Sequence, residues 1–135
     1  TNFLNEGKNK IQSYFPLYFP RFVIKKGWAH KCIWGFIQQE STIFSKSIYK
    51  KVGGVDTSNK VASDYYLWIK FSNICPLKSI DINIGVQRKW YGQMQKNLNL
   101  YYKEMKKKKC KFNIFYSLRI MISVLNYLRL KILKR

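Results

Sequence analysis

Acid is what this chain lacks most: 6 Asp and Glu stand against 26 Lys and Arg in 135 residues, for a formal charge of +20. A surface so short of carboxylates attracts phosphates, whether of nucleic acid, nucleotide sugars or anionic lipid. The imbalance alone fixes no function, because a Lys-, Asn- and Ile-rich coding bias would produce it too. There is one histidine, His30, and the cysteines at 32, 75 and 110 lack metal-ligand spacing, so no zinc site is expected. An odd set of distant cysteines reads as free thiols in a reducing compartment. Signal peptide and initiator Met are both missing, and the chain is expected to be a fragment. Long apolar runs are missing as well. The longest uncharged stretch of the C-terminal segment is residues 120–128, too short to span a bilayer. Internal repeats are absent.

Apolar and aromatic residues are plentiful, at 47% and 17%. That is ample for one domain with a core and excludes disorder on composition. Residues 1–27 carry an aromatic run, YFPLYFPRF, in which Pro16 and Pro20 argue against a regular helix. They read as an extended aromatic connector or as a disordered end. Residues 28–39 suit a strand or loop. Thr42 or Ser45 then caps a short helix with Ile48, Tyr49 and Val52 on its apolar side, stopped by Gly53-Gly54. After a polar loop, Ser63 caps a helix from about Asp64 to Asn73, in which Leu67, Trp68 and Phe71 recur at helical spacing. Pro76 ends it.

From Leu77 to Lys89, Ile80, Ile82, Ile84 and Val86 alternate with polar residues and predict a strand with one buried face. Residues 92–109 predict a polar helix with Met94, Leu98, Tyr101, Tyr102 and Met105 along one side. The tail, 112–135, places Ile114, Leu118, Met121, Leu125, Leu128 and Ile132 at steps of four and three, an amphipathic helix. From Lys103 onward there are eleven basic residues and one acid, Glu104. Two readings of the tail stand level: a basic helix for an anionic membrane surface or a partner helix, or a stripe packed on the domain's own core.

The scarcity of acid shortens the search for chemistry. Glu6 and Glu104 lie among lysines and read as surface residues; Asp81 falls on the polar side of the expected strand, and Asp56 suits a loop. Glu40 follows Gln38 and Gln39. Asp64 alone opens a helix among large aromatics, Tyr65, Tyr66 and Trp68. The free N–H groups of the first turn would keep its carboxylate ionised, and burial would push its pKa the other way. Taken alone, an acid there is more often a cap than a catalyst.

The run from Gln39 to Gly54, then Val55-Asp56, then Ala62-Ser63-Asp64-Tyr65-Tyr66-Leu67-Trp68, resembles the C-terminal, acceptor-side half of family 2 glycosyltransferases of the GT-A fold. In that family the pattern runs roughly Q-x-x-T-F-x-R-R-S-x-x-x-x-V-G-G-x-D, then x-D-Y-D-L-W-x-R, with R-x-H-x-x-Q after a strand. Here the last piece is Arg88-Lys-Trp-Tyr-Gly-Gln93. The resemblance covers about residues 33–104. It implies an α/β (α+β) fragment: an incomplete GT-A-like domain with short helices, one or two strands and a C-terminal amphipathic helix. The expected division is a connector at 1–27, the acceptor-side part at 28–110 and the basic helical tail at 111–135.

The resemblance also implies roles. Asp64 falls on the catalytic general base of an inverting transfer. Gln39 falls beside donor sugar or acceptor, with Glu40 next to it. Trp68 would floor the acceptor site or serve as a core residue, and Arg88 would sit near the diphosphate. The partners would be a nucleotide-sugar donor and a sugar or lipid-linked acceptor. The complete enzyme would use Mg or Mn, and its D-x-D ligands are absent from this chain. Ser45 and Lys46 replace the arginine pair, Tyr66 the second aspartate and Trp90 the histidine. The expectation is a chain inactive alone, cytoplasmic, and peripheral on the inner face of a membrane. The alternative is a basic, aromatic-rich module binding nucleic acid or an anionic membrane; no recognisable nucleic-acid motif favours the former.

Overall fold

The computed structural model describes residues 2–5, 11–13, 17–80, 82, 86–89, 98–106 and 115–133. The expected α/β, GT-A-like domain is not what forms, for the fold is helical. Its helices are α1 (Arg21–Lys25), α2 (Lys46–Lys51), α3 (Ser63–Ile74), α4 (Leu98–Glu104) and α5 (Tyr116–Leu133). Among the described residues, extended structure is limited to β1 (Asn2–Asn5), β2 (Ile11–Ser13) and β3 (Val86–Lys89), in the order β2-β1-β3. β1 runs antiparallel to β2, with Leu4 opposite Ile11, and parallel to β3, with Leu4 opposite Arg88. Pieces this short form a patch, not the continuous parallel sheet of an α/β domain.

The alternating isoleucines explain why sequence pattern overstated the strand. Ile80 and Ile82 are 47% and 64% exposed, and residues 77–80 are irregular. Alternation produces a stable strand only where another layer covers the apolar face, and here no layer covers these two side chains. Ile84 lies outside the described residues.

The N-terminal region also departs from expectation. Pro20 does not forbid a helix; it stands at the N-cap position with φ −56°, and α1 starts at the next residue. Proline is tolerated at a helix start because the N–H it lacks would have no intrahelical partner there. Val23 and Ile24 are buried, and α1 packs on α3. Arg21 fixes the pairing: its Nε donates to the Ser72 carbonyl at 2.6 Å and its Nη2 to the Asn73 carbonyl at 3.0 Å. Those carbonyls belong to the last turn of α3, where the helix supplies no donors.

Around α3 the core divides in two. One face carries Leu67, Trp68 and Phe71 against Phe19, Val23, Ile24, Ala29, Trp34 and Ile37. The other buries Ala62 and Tyr65 with Cys32, Tyr102 and Met105. Each fully buried large apolar side chain contributes about 1.5–3 kcal/mol, so α3 is stabilised mainly by this packing. Residues 28–39 form turns and loop, as one of the two expectations had it. Ser45 caps α2, its Oγ accepting the Ile48 N–H at 3.2 Å. Gly53 and Gly54 end it with φ +75° and +67°. A Cβ on Gly54 would also meet the Tyr49 ring at 3.1 Å, so a side chain is excluded there twice over.

Ser63 does not cap α3. The cap position is Ala62, and the donors ahead of the helix are taken by Glu104 instead. Of the helix expected over 92–109, α4 is the part that lies within the described residues. Cys32 is disulfide-bonded, not a free thiol, and Cys75 is free; Cys110 lies outside the described residues. The reducing compartment expected from unpaired thiols thereby loses its basis. Among the described residues no helix is long and apolar enough to cross a membrane.

Candidate functional site

Asp64 occupies the first turn of α3 and is half-buried. Its Oδ1 accepts the Tyr65 N–H at 2.7 Å and the Tyr101 hydroxyl at 3.4 Å. Burial pushes the carboxyl above its ordinary value; the hydrogen bonds from Tyr65 and Tyr101 act downward, and the charge of Glu40 adds to the upward push. Of the two opposing effects expected from sequence, desolvation therefore outweighs the helix N–H groups. The Tyr101 hydroxyl is held in its neutral, donating form, chiefly by burial and then by the Asp64 charge.

One helical turn beyond Asp64, Leu67 and Trp68 line an open groove of about 430 Å³ with Gln39, Phe44, Lys46, Tyr49 and Val55. Its walls are largely apolar, and three of the seven lining residues are aromatic. Phe44 stacks on Tyr49 at 5.8 Å between centroids and meets Trp68 edge-on at 6.2 Å. The turn at Gly53-Gly54 shapes the far wall: the Val55 N–H donates to the Tyr49 hydroxyl at 3.2 Å, and Lys70 Nζ donates to the Gly54 carbonyl at 3.0 Å. Trp68 is both a core residue and a groove residue. It is 6% exposed, and its indole N–H is buried without an acceptor.

Of the residues singled out in the sequence, the structure brings Gln39 and Trp68 together, and Asp64 is not among the described residues lining their groove. Gln39 and Trp68 share the groove, and Gln39 and Glu40 sit on a 3-10 turn, Gln39–Ser41, fixed by the Thr42 hydroxyl donating to the Gln38 carbonyl at 2.7 Å. Glu40 is exposed and close enough to Asp64 for its charge to be felt. β3, the strand holding Arg88, lies against the Gln39–Ser41 turn. The side chain of Arg88 lies outside what is described.

Several participants were not singled out. The sequence pattern places Tyr101 on an apolar stripe, and only the fold brings its hydroxyl to Asp64. Glu104 is not a free surface acid: its Oε1 accepts the Lys60 N–H at 3.0 Å, and its Oε2 accepts those of Val61 at 3.0 Å and Ala62 at 2.8 Å. Burial pushes its carboxyl up, and the three N–H groups together outweigh that and hold it below its ordinary value. Tyr66, at the place of the family's second aspartate, donates its hydroxyl to the Glu104 carbonyl at 2.8 Å. Asp56 is the loop residue expected, its Oδ1 accepting both the backbone N–H and the hydroxyl of Ser58.

No group of three or more His, Cys, Asp and Glu is placed to hold a metal ion among the described residues. No family model, curated protein or solved structure matches the sequence or the fold.

Proposed function

We propose that this chain provides the acceptor side of an inverting sugar-transfer site, with Asp64 as general base. The observation that carries the reading is the placement of Asp64: a half-buried carboxylate with raised proton affinity, one helical turn from an aromatic groove that also contains Gln39. In the reaction, Asp64 takes the proton from an acceptor hydroxyl. The freed oxygen attacks the anomeric carbon of a nucleotide sugar while the bond to the diphosphate breaks, and the diphosphate leaves with the electron pair. A base works best with a pKa near the working pH, and an upward shift moves an aspartate in that direction. A second carboxylate is unnecessary, because the diphosphate needs no proton to depart.

Within this reading Phe44, 41% exposed, supplies the apolar face on which a sugar ring rests, with the buried Trp68 packed behind it, and Gln39 and Glu40 bond its hydroxyls. Arg88 offsets charge on the departing diphosphate. The grip on the diphosphate and its metal comes from a nucleotide-binding half that this helical chain does not supply, so the chain alone is inactive. The proposal includes a sugar or lipid-linked acceptor and a peripheral position on a membrane surface.

A glycan array probed with the purified chain tests the acceptor side. A subset of glycans is expected to bind, with retention in Asp64→Asn and loss in Phe44→Ala, at an exposed position of the groove. A folded chain that binds none overturns the reading. Supplying a nucleotide-binding half in the same polypeptide is expected to give sugar transfer that Asp64→Asn abolishes. Transfer by the Asn variant at the parent rate removes Asp64 from its role.

A further inference from the structure

Helix α5 is held on the core by its more polar side. Ser123, fully buried, accepts the Tyr18 N–H on its Oγ at 3.1 Å, and Ile122 packs against the Trp34 cluster. Arg119 Nη1 donates to the Trp34 carbonyl at 3.0 Å, entering where Gly35 has no side chain to obstruct it. The opposite side of the helix is apolar and uncovered: Leu118 is 40% exposed, Met121 54%, Leu125 60%, Leu128 50% and Ile132 72%. The stripe therefore does not pack on the domain's own core, one of the two readings the pattern allowed. At about 3.6 residues per turn, Arg129 and Lys131 fall on the two flanks of the stripe, and Ser123 falls opposite it.

We infer that this face of α5 docks the protein flat on an anionic lipid surface. The stripe enters the headgroup boundary, and Arg129 extends from one flank toward lipid phosphates, with Lys131, whose Nζ lies 5.4 Å from the Tyr127 ring centroid, on the other. Charge selects this occupant over a second copy of the chain. The exposed face of α5 is flanked by Arg129 and Lys131, the helix carries no acid, and each chain has a net charge of +20. Pairing two such faces would bring like charges together along the seam, whereas an anionic bilayer neutralises them. The inference makes specific the peripheral location proposed above and is independent of the sugar chemistry. Glycan binding tests one, vesicle binding the other.

The experiment is co-sedimentation of the full chain with vesicles of phosphatidylcholine alone and of phosphatidylcholine mixed with phosphatidylglycerol. Binding is expected to the mixed vesicles, at least about tenfold above the neutral ones, and to weaken as salt is raised. Leu125→Ser with Leu128→Ser, at exposed positions that leave the Ser123 and Arg119 contacts intact, is expected to abolish it. Arg129→Gln with Lys131→Gln, which spares the stripe, is expected to lower it about tenfold. Equal binding to neutral vesicles, or undiminished binding by the serine pair with its melting temperature preserved, overturns the inference. So does a concentration-dependent dimer that the serine pair dissolves, with no vesicle binding by the parent; the face would then belong to a second copy.

Discussion

Asp64 and Glu104 stand on either side of the start of α3, and their carboxyls shift in opposite directions. Asp64 is raised because burial outweighs its hydrogen bonds. A raised acid favours the folded state while it is protonated, and that advantage is lost as pH rises from the ordinary value of 3.8 through the shifted one. Glu104 is lowered, so its contribution is present above 4.5 and is lost as pH falls through its shifted value. Asp64→Asn keeps an oxygen for the Tyr65 and Tyr101 donors and removes the titration. Relative to the parent it should gain stability as pH rises through the acid range and then level off. Glu104→Gln should melt at lower temperature than the parent at neutral pH, with the deficit shrinking as the solution is acidified. Thermal melts of the three proteins across the acid range check both slopes; parallel curves would contradict the assignments. Neither shift was legible in sequence. Glu104 lies 42 residues from Ala62, and nothing local in a lysine-rich run shows that its carboxylate gathers the backbone N–H groups of the loop ahead of α3.

At the scale of elements, legibility followed distance along the chain. The α2 cap, narrowed to Thr42 or Ser45 and found at Ser45, the left-handed Gly53-Gly54 stop and the Leu67, Trp68, Phe71 face of α3 all depend on residues within one or two turns, and were readable to that extent. Helix α1 was missed because Pro20 was weighed as a breaker when it sits where proline is harmless. The strand over 77–89 was overextended because alternation records a preference for a covered face and cannot show that a covering layer exists. That Gln39 and Trp68 share a groove was legible only through resemblance; the groove itself depends on Phe44 reaching back across α3. Trp68 gives a test at this scale. Trp68→Ala should cost about 3–5 kcal/mol, as for other large core truncations. Trp68→Phe keeps a ring in the core and removes the unsatisfied indole N–H, so its cost should be no more than about 2 kcal/mol. Urea titrations separate the two. Equal costs would mean that the indole N–H has an acceptor in solution.

For the whole molecule the dominant quantity is charge. With 26 basic residues and 6 acids, the folded chain brings like charges closer than the unfolded chain does, so compaction works against a repulsion that no single contact reveals. The acids that are buried or bonded cannot offset it locally: Glu104 is committed to backbone donors, and Asp64 has raised proton affinity. Salt should therefore stabilise this protein, where it weakens one held by surface ion pairs. Raising sodium chloride from about 0.01 to 0.15 M shortens the screening length from about 30 to 8 Å. That distance falls from the order of a domain's width to that of neighbouring side chains, so most of the repulsion between lysines on different elements is removed. The melting temperature should rise, and for a chain of this length about 1 kcal/mol corresponds to roughly 4 °C. The same change in salt should release the chain from anionic vesicles, because the cations that repel one another in the free protein are those that attract the lipid. A melting temperature that falls with salt while vesicle binding weakens would place the stabilising charge pairs on the surface, and the excess of lysine would then act on partners alone.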